Sequence, residues 1–126
     1  MTGKEMIYII KTHDENAIKI GYSKTKAGIE KRLSGLQTGN HKRLSLLHYF
    51  QGGRSIEKII HGFLYQYHLS GEWFDYTSLD VQIFVNNLID YNVYEALRSI
   101  STDKEYNPYY DISARNSKRR KDRIKP

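Results

Sequence analysis

The sequence predicts an α+β domain in which helices pack on a small antiparallel sheet. Two kinds of segment lead to this class: short runs rich in β-prone residues, and segments whose apolar residues recur near helical spacing. A third observation sets the size, because 126 residues with 39% hydrophobic side chains suffice for one domain with one core.

Three runs predict the strands. Residues 6–10 are apolar and β-prone, residues 17–22 alternate between apolar and other side chains, and residues 44–50 form a third run. The polar segment 12–16 contains Asp and Asn residues, which favour turns. The first two strands are therefore predicted to form a hairpin.

The helices are predicted between and after these strands. The first covers residues 26–37 and is stopped by Gly39, and the second runs from an N-cap at Ser55 to about Tyr67. A short extended piece at 72–75 and two further helices at 79–90 and 93–100 complete the prediction.

The predicted organisation is one domain with an appended tail. Residues 1–76 form the core, residues 77–112 a helical extension of the same domain, and residues 113–126 a basic tail that is expected to be disordered.

The net charge of +6 is unevenly distributed. Residues 115–126 hold seven basic side chains and one acidic one, residues 1–58 hold 11 basic and 5 acidic ones, and residues 59–114 hold 2 basic and 8 acidic ones. A basic half and a basic tail indicate a polyanionic partner. A solvated tail that only aids solubility stays open as the alternative for the tail alone.

The composition also argues against several classes of protein and of metal site. The chain has no cysteine, so a disulfide framework and a thiolate metal site are excluded. No apolar run approaches the length of a membrane span, and the polar residues 1–5 do not resemble a secretory leader. An intracellular protein that does not bind membranes is expected.

Five short motifs appear in order within residues 6–76. They are Ile7-Tyr8-Ile9, Lys19-Ile20-Gly21-Tyr22, Arg32-Leu33 followed by Leu36-Gln37-Thr38-Gly39-Asn40, Glu57 with His61, and Gly71-Glu72-Trp73-Phe74. In this order and at this spacing the chain resembles the GIY-YIG nuclease superfamily. It is similar to the small phage and bacterial branch that has a K-I-G second motif and a G-E-W-F segment.

The resemblance implies a small three-stranded antiparallel sheet flanked by helices. It also implies hydrolysis of phosphodiester bonds in nucleic acid, with DNA favoured, by means of one divalent cation, Mg²⁺ or Mn²⁺. The implied catalytic residues are Tyr8, Lys19, Arg32 and His61, and the implied metal ligand is Glu57.

These residue types suit the implied reaction. A carboxylate such as Glu57 supplies the oxygen ligands that Mg²⁺ prefers, and the planar guanidinium of Arg32 can hold phosphate oxygens. Tyr8 is a candidate general base or water-orienting group. Because the ordinary pKa of a phenol is about 10, it acts as a base only if a nearby cation lowers its pKa. Lys19, which replaces the tyrosine of the second motif, is expected to provide that charge and to bind phosphate.

Each site residue also has a structural alternative. Tyr8 could simply pack on the sheet, Lys19 could lie on the solvent face of its strand, and Arg32 could belong to a solvated helix face. Glu57 lies in the first turn of its helix, where an acid is favoured in any case. His61 follows one turn later and could orient Glu57, contact phosphate or be a surface histidine.

Three functions therefore stay open: a nuclease, a nucleic-acid-binding module on the same fold with little or no cleavage, and a protein-interaction domain. The nuclease hypothesis makes a geometric prediction. Tyr8, Lys19, Arg32 and Glu57 should converge on one concave face, although they are spread over about 50 residues of sequence.

Overall fold

The α+β class is confirmed by a computed structural model, which describes residues 4–100. Its elements are strands β1 (Met6–Thr12) and β2 (Ala17–Ser23), helix α1 (Lys26–Thr38), strand β3 (Leu44–Gln51), helix α2 (Arg54–Phe63), strands β4 (His68–Ser70) and β5 (Trp73–Asp75), and helices α3 (Leu79–Asp90) and α4 (Val93–Ser99). The basic tail predicted at 113–126 lies outside the described residues, as does the segment 101–112 of the predicted extension.

The sheet has five antiparallel strands in the order β3-β1-β2-β5-β4, so the predicted number of three strands is wrong. The predicted hairpin of β1 and β2 is present, and β3 pairs with the other side of β1. The two additional strands have three residues each, and β5 pairs with β2 only along Ala17–Lys19. Strands this short cannot show the alternation by which a strand is recognised in a sequence.

Helices cover both faces of the sheet. On one face, Tyr8 and Ile10 of β1 pack with Ile29 of α1. On the other face, Ile7 and Ile9 of the same strand belong to the larger core, to which α2, α3 and α4 contribute. This division follows from the strand geometry, because successive side chains point to opposite faces.

The start of α2 differs from its prediction. Gly53, and not Ser55, is the N-cap residue, and it makes no side-chain capping hydrogen bond. The helix ends at Phe63 and is followed by a short 3₁₀ turn, Tyr65–Tyr67, instead of continuing to Tyr67 as an α-helix. Helix α3, by contrast, begins at the predicted cap, since the Ser78 hydroxyl accepts a hydrogen bond from the Val81 amide.

Strand β2 is only partly covered by β5. Beyond the paired segment, the amide of Ile20 donates to the carbonyl of Glu72 at 3.1 Å, and the carbonyl of Ile20 accepts from a side chain of α2. This part of β2 therefore contacts both α2 and the turn before β5. Among residues 4–100, no helix combines the length and the apolar character needed to cross a membrane.

Candidate active site

Tyr8 lies at the centre of the candidate site and is held there by Gly21. The two residues are directly paired in the β1–β2 ladder, and the Tyr8 side chain is 1% exposed. A Cβ atom on residue 21 would overlap the phenol ring of Tyr8. Gly21 therefore permits a close approach to its backbone, and the group that approaches is the tyrosine ring.

The electrostatic surroundings of Tyr8 keep its phenol protonated. Burial raises the pKa of Tyr8 to about 12; the charge of Arg32 lowers this pKa, while the charges of Glu72 and Glu57 raise it. The pKa of Tyr8 was expected to be lowered by Lys19, but in the structure it is raised. At neutral pH the phenol can donate a hydrogen bond and orient a neighbour, but it does not act as a base in the protein alone.

Lys19 is buried and ion-paired, so the alternative that it lies on a solvent face is wrong. Its residue exposure is 7%, and its Nζ atom lies 2.7 Å from Oε1 of Glu72. It sits on the same side of β2 as Gly21, two positions along the strand, and its backbone partner on β5 is Trp73. Two of the three ammonium hydrogens of Lys19 can still serve other acceptors.

Glu57 is a buried carboxylate in the first turn of α2. It is 5% exposed, and within residues 4–100 its Oε2 atom has no hydrogen-bond partner. Burial raises the pKa of Glu57 to about 7; the charge of Glu72 and a hydrogen bond with it act in the same direction, whereas Arg54 and Lys19 lower the pKa. A buried carboxylate oxygen without a partner is costly, and in native proteins it commonly has a catalytic role or binds a water or an ion.

His61 contacts the part of β2 that β5 does not pair with, and its ring lies near the carboxylate of Glu57. Its Nε2 atom donates to the Ile20 carbonyl at 2.9 Å and lies 3.9 Å from Oε2 of Glu57. The ring packs against Phe74 at a centroid distance of 5.4 Å, and burial lowers the pKa of His61. Because the residue is only 6% exposed, the alternative of a surface histidine is wrong.

A cationic cavity of about 510 Å³ adjoins this buried cluster. Its lining includes Arg32, Lys24 and Lys31 together with Arg54, whose guanidinium lies 4.3 Å from the ring centroid of Tyr22. Among the described residues that line it, none is acidic.

The lining does not include Tyr8, Lys19 or Glu57, so only Arg32 of the four predicted residues lies in this cavity. The cavity and the cluster are nevertheless neighbours, since the charge of Arg32 acts on Tyr8 and that of Arg54 acts on Glu57.

The oxygen donors fit a hard divalent cation such as Mg²⁺ or Mn²⁺ better than a softer metal such as Zn²⁺. Within residues 4–100 there is no group of three His, Asp or Glu side chains placed to hold a metal ion. The charge of Glu72 acts on Glu57, and within residues 4–100 the Oε2 atom of Glu57 has no hydrogen-bond partner. In proteins Mg²⁺ is commonly held by one or two carboxylates and completes its shell with water and substrate phosphate. Glu57 and Glu72 could supply these carboxylates.

Two contributors to the site were missed by sequence reasoning. Glu72 was assigned only to a short extended piece, although its position in the G-E-W-F segment was the available signal. Arg54 was not among the predicted site residues, and its role in the cavity depends on its place at the start of α2.

Among protein families, the model of the T5orf172 domain matches residues 5–89. This range includes every element from β1 to α3 except the last residue of α3. Neither the curated proteins nor the solved structures that were compared contain a match to the chain.

Proposed function

Because the chain belongs to the T5orf172 domain family, we propose that it is a metal-dependent endonuclease of the GIY-YIG type that hydrolyses phosphodiester bonds in nucleic acid, with DNA as the favoured substrate. One observation carries the proposal: within residues 4–100 the buried Oε2 atom of Glu57 has no hydrogen-bond partner. Glu57 interacts electrostatically with Tyr8 and Lys19, next to a cavity lined by cations.

The cavity supplies the binding step. Lys24, Lys31, Arg32 and Arg54 provide four positive charges with no acidic side chain between them in the described lining. Phosphate contacts of this kind give most of the affinity for nucleic acid and position its backbone without reading its sequence. Arg32 is the cation of this cavity whose charge reaches Tyr8, so it is the one proposed to hold the scissile phosphate.

The buried cluster supplies the chemical step. The protonated phenol of Tyr8 orients the attacking water, and the neutral imidazole of His61 keeps the edge of β2 in register with Glu57. Glu57 would hold the divalent cation, whose chemistry is to neutralise charge on the phosphate and on the leaving oxygen. In this scheme the protein contributes orientation and electrostatic stabilisation more than proton abstraction.

A nucleic-acid-binding module with weak or no cleavage is the second candidate. It is favoured by two observations: the phenol of Tyr8 is protonated, and Lys19 is already neutralised by Glu72. The cationic cavity would serve such a module equally well.

A cleavage assay separates the two candidates. The full chain is incubated with duplex DNA, single-stranded DNA and RNA in the presence of Mg²⁺ or Mn²⁺, beside an EDTA control and the variant Glu57→Gln. The proposal expects cleavage that needs the cation and is lost in Glu57→Gln, while binding to the same substrates persists.

Arg32→Ala should impair both binding and cleavage, because a phosphate contact contributes to the ground state and the transition state alike. Binding without cleavage by the wild type, with activity gained in Lys19→Tyr, would favour the binding module. Cleavage by Glu57→Gln at the wild-type rate would contradict the assignment of the metal ligand.

A further inference from the structure

The carboxylate of Glu72 pairs with Lys19, and its backbone bonds to the part of β2 that also contacts α2. Glu72 follows Gly71, whose φ of +54° turns the chain between β4 and β5, and it directly precedes β5. Its backbone carbonyl accepts the amide of Ile20, which ties the residue to β2. The side chain is therefore placed by two fixed backbone points, although 34% of its surface is exposed.

The carboxylate of Glu72 has more acceptor capacity than Lys19 uses. The Nζ atom of Lys19 lies 2.7 Å from Oε1 of Glu72, which occupies one carboxylate oxygen. Glu72 and Glu57 approach the same residue of β2, because the Ile20 amide donates to the Glu72 carbonyl and the Ile20 carbonyl accepts from His61, whose Nε2 atom lies 3.9 Å from Oε2 of Glu57. Two carboxylates brought together in this way repel one another unless a proton or a cation lies between them.

The second, independent observation is the state of Glu57 itself. Its side chain is 7% exposed, and its Oε2 atom is without a hydrogen-bond partner among residues 4–100; the Nε2 atom of the His61 ring lies 3.9 Å away. An oxygen that is buried to this degree and left unbonded beside a second carboxylate marks a place for a ligand with positive charge.

We propose that Glu72 is a second protein ligand of the divalent cation that Glu57 holds, so that the cation bridges α2 and the turn before β5. The inference rests on the proposed function for the presence of a cation and adds a ligand that comes from a different element of the fold. Lys19 then fixes the second carboxylate and offsets part of the charge of the pair.

The experiment measures metal binding directly and not only cleavage. The full chain is titrated with Mn²⁺, the free ion is followed by electron paramagnetic resonance, and thermal unfolding is recorded with and without Mn²⁺. The variants are Glu72→Gln, Glu72→Asp and Glu57→Gln, and the matched control is Glu95→Gln on α4, whose carboxylate pairs with the exposed Arg98.

Both Glu72 variants should weaken Mn²⁺ binding at least about tenfold, since even residues outside the ligand shell typically cost 10–100-fold when changed. Glu72→Asp is the decisive variant. This variant keeps the negative charge that pairs with Lys19 but has a side chain shorter by one methylene group. If Glu72 acted through its charge alone, the affinity of Glu72→Asp for Mn²⁺ would stay near that of the wild type. The thermal shift that Mn²⁺ produces should shrink in parallel, whereas Glu95→Gln should match the wild type in both measurements.

The possible outcomes separate this inference from the proposed function. Loss of binding in Glu57→Gln with unchanged binding in both Glu72 variants would overturn the role of Glu72 and leave the nuclease proposal intact. Two-carboxylate binding in a wild type that cleaves no nucleic acid would support the metal site and overturn the nuclease. A wild type that binds no Mn²⁺ would overturn both. If Glu72→Gln does not fold, which the unfolding curve in EDTA reveals, Glu72→Asp decides alone.

Discussion

The phenol ring of Tyr8 lies over the backbone of Gly21, its direct partner on the neighbouring strand, with no room for a Cβ atom between them. The contact sets the position of the Tyr8 hydroxyl relative to Arg32, Glu57 and Glu72, whose charges all act on it. Position 21 thus requires glycine because the Tyr8 ring lies over it, and not because of a positive φ.

Gly21→Ala should destabilise the fold by about 1–3 kcal/mol, the usual cost of inserting a methyl group into a filled site. Urea denaturation measures the free energy of unfolding. Gly35→Ala is the matched control, because a Cβ at position 35 of α1 meets nothing within 4 Å and alanine is favoured over glycine in a helix by up to about 1 kcal/mol. Equal effects of the two substitutions would contradict the contact.

Tyr8→Phe should leave folding and nucleic-acid binding intact and reduce cleavage about a hundredfold or more, since the hydroxyl is proposed to position the attacking water. Single-turnover cleavage with saturating protein measures the chemical step. Tyr94→Phe, at a position that is 65% exposed, is the control. An unchanged rate in Tyr8→Phe would show that Tyr8 serves only sheet packing.

Glu57 should make stability fall with rising pH when no divalent cation is present. Its pKa is raised from 4.5 to about 7, so the folded state binds this proton more tightly than the unfolded state does. The contribution is fully present below pH 4.5 and is lost as the pH rises through about 7. In EDTA, the unfolding free energy of the wild type should decline over this window relative to that of Glu57→Gln. Parallel pH profiles would contradict the raised pKa.

Asp14, in the turn between β1 and β2, should have the opposite pH dependence. Hydrogen bonds from Thr12 and Asn16 and the ion pair with Lys42 lower its pKa from 3.8 to about 2. Its stabilising contribution is therefore present above pH 3.8 and is lost as the pH falls through about 2.

Asp14→Asn should be less stable than the wild type at neutral pH, and the two should converge in strong acid. Thermal unfolding across this range checks the sign. A difference between the two proteins that stays constant down to pH 2 would argue against it.

The basic segment 113–126 should contribute to nucleic-acid affinity and to its salt dependence. Removing it should weaken binding and flatten the plot of log Kobs against log salt concentration, by about 0.9 for each phosphate contact that is lost. Fluorescence anisotropy at several salt concentrations gives the slope. A variant with glutamine at the seven basic positions separates charge from length. An unchanged slope in both variants would remove the segment from the binding surface.

The long periodic elements could be predicted from the sequence because each carries its own signal. Helix α3 was predicted at its observed residues 79–90, since Ser78 provides a cap and the apolar residues after it mark one face. Residues 72–75 were predicted to be extended, and β5 lies there. Strands β4 and β5 are nevertheless too short to show an alternating pattern, and the pairing of β5 with β2 and of β4 with β5 carries no local signal. The Gly53 cap was missed for a different reason: a glycine offers no side chain for a capping hydrogen bond, so the sequence does not mark it as a cap.

The ordered motifs identified candidate site residues, but they did not predict the ion pairs and pKa shifts of those residues. Lys19 and Glu72 form their ion pair across 53 positions of sequence, which no local pattern reveals. The raised pKa of Tyr8 likewise comes from burial and from two carboxylates of distant segments, so the expected effect of Lys19 on that pKa was wrong.

The β4–β5 hairpin that presents Glu72 has only three residues in each strand and joins the rest of the sheet along three residues of β2. So short a ladder is the part of a sheet that opens most easily by local unfolding. Each opening would withdraw the Glu72 carboxylate from Glu57, and any ligand that bridges the two must hold the hairpin closed. Amide hydrogens at this edge would then exchange more slowly with bound Mn²⁺, while those in the centre of β1 would keep the rate set by global unfolding.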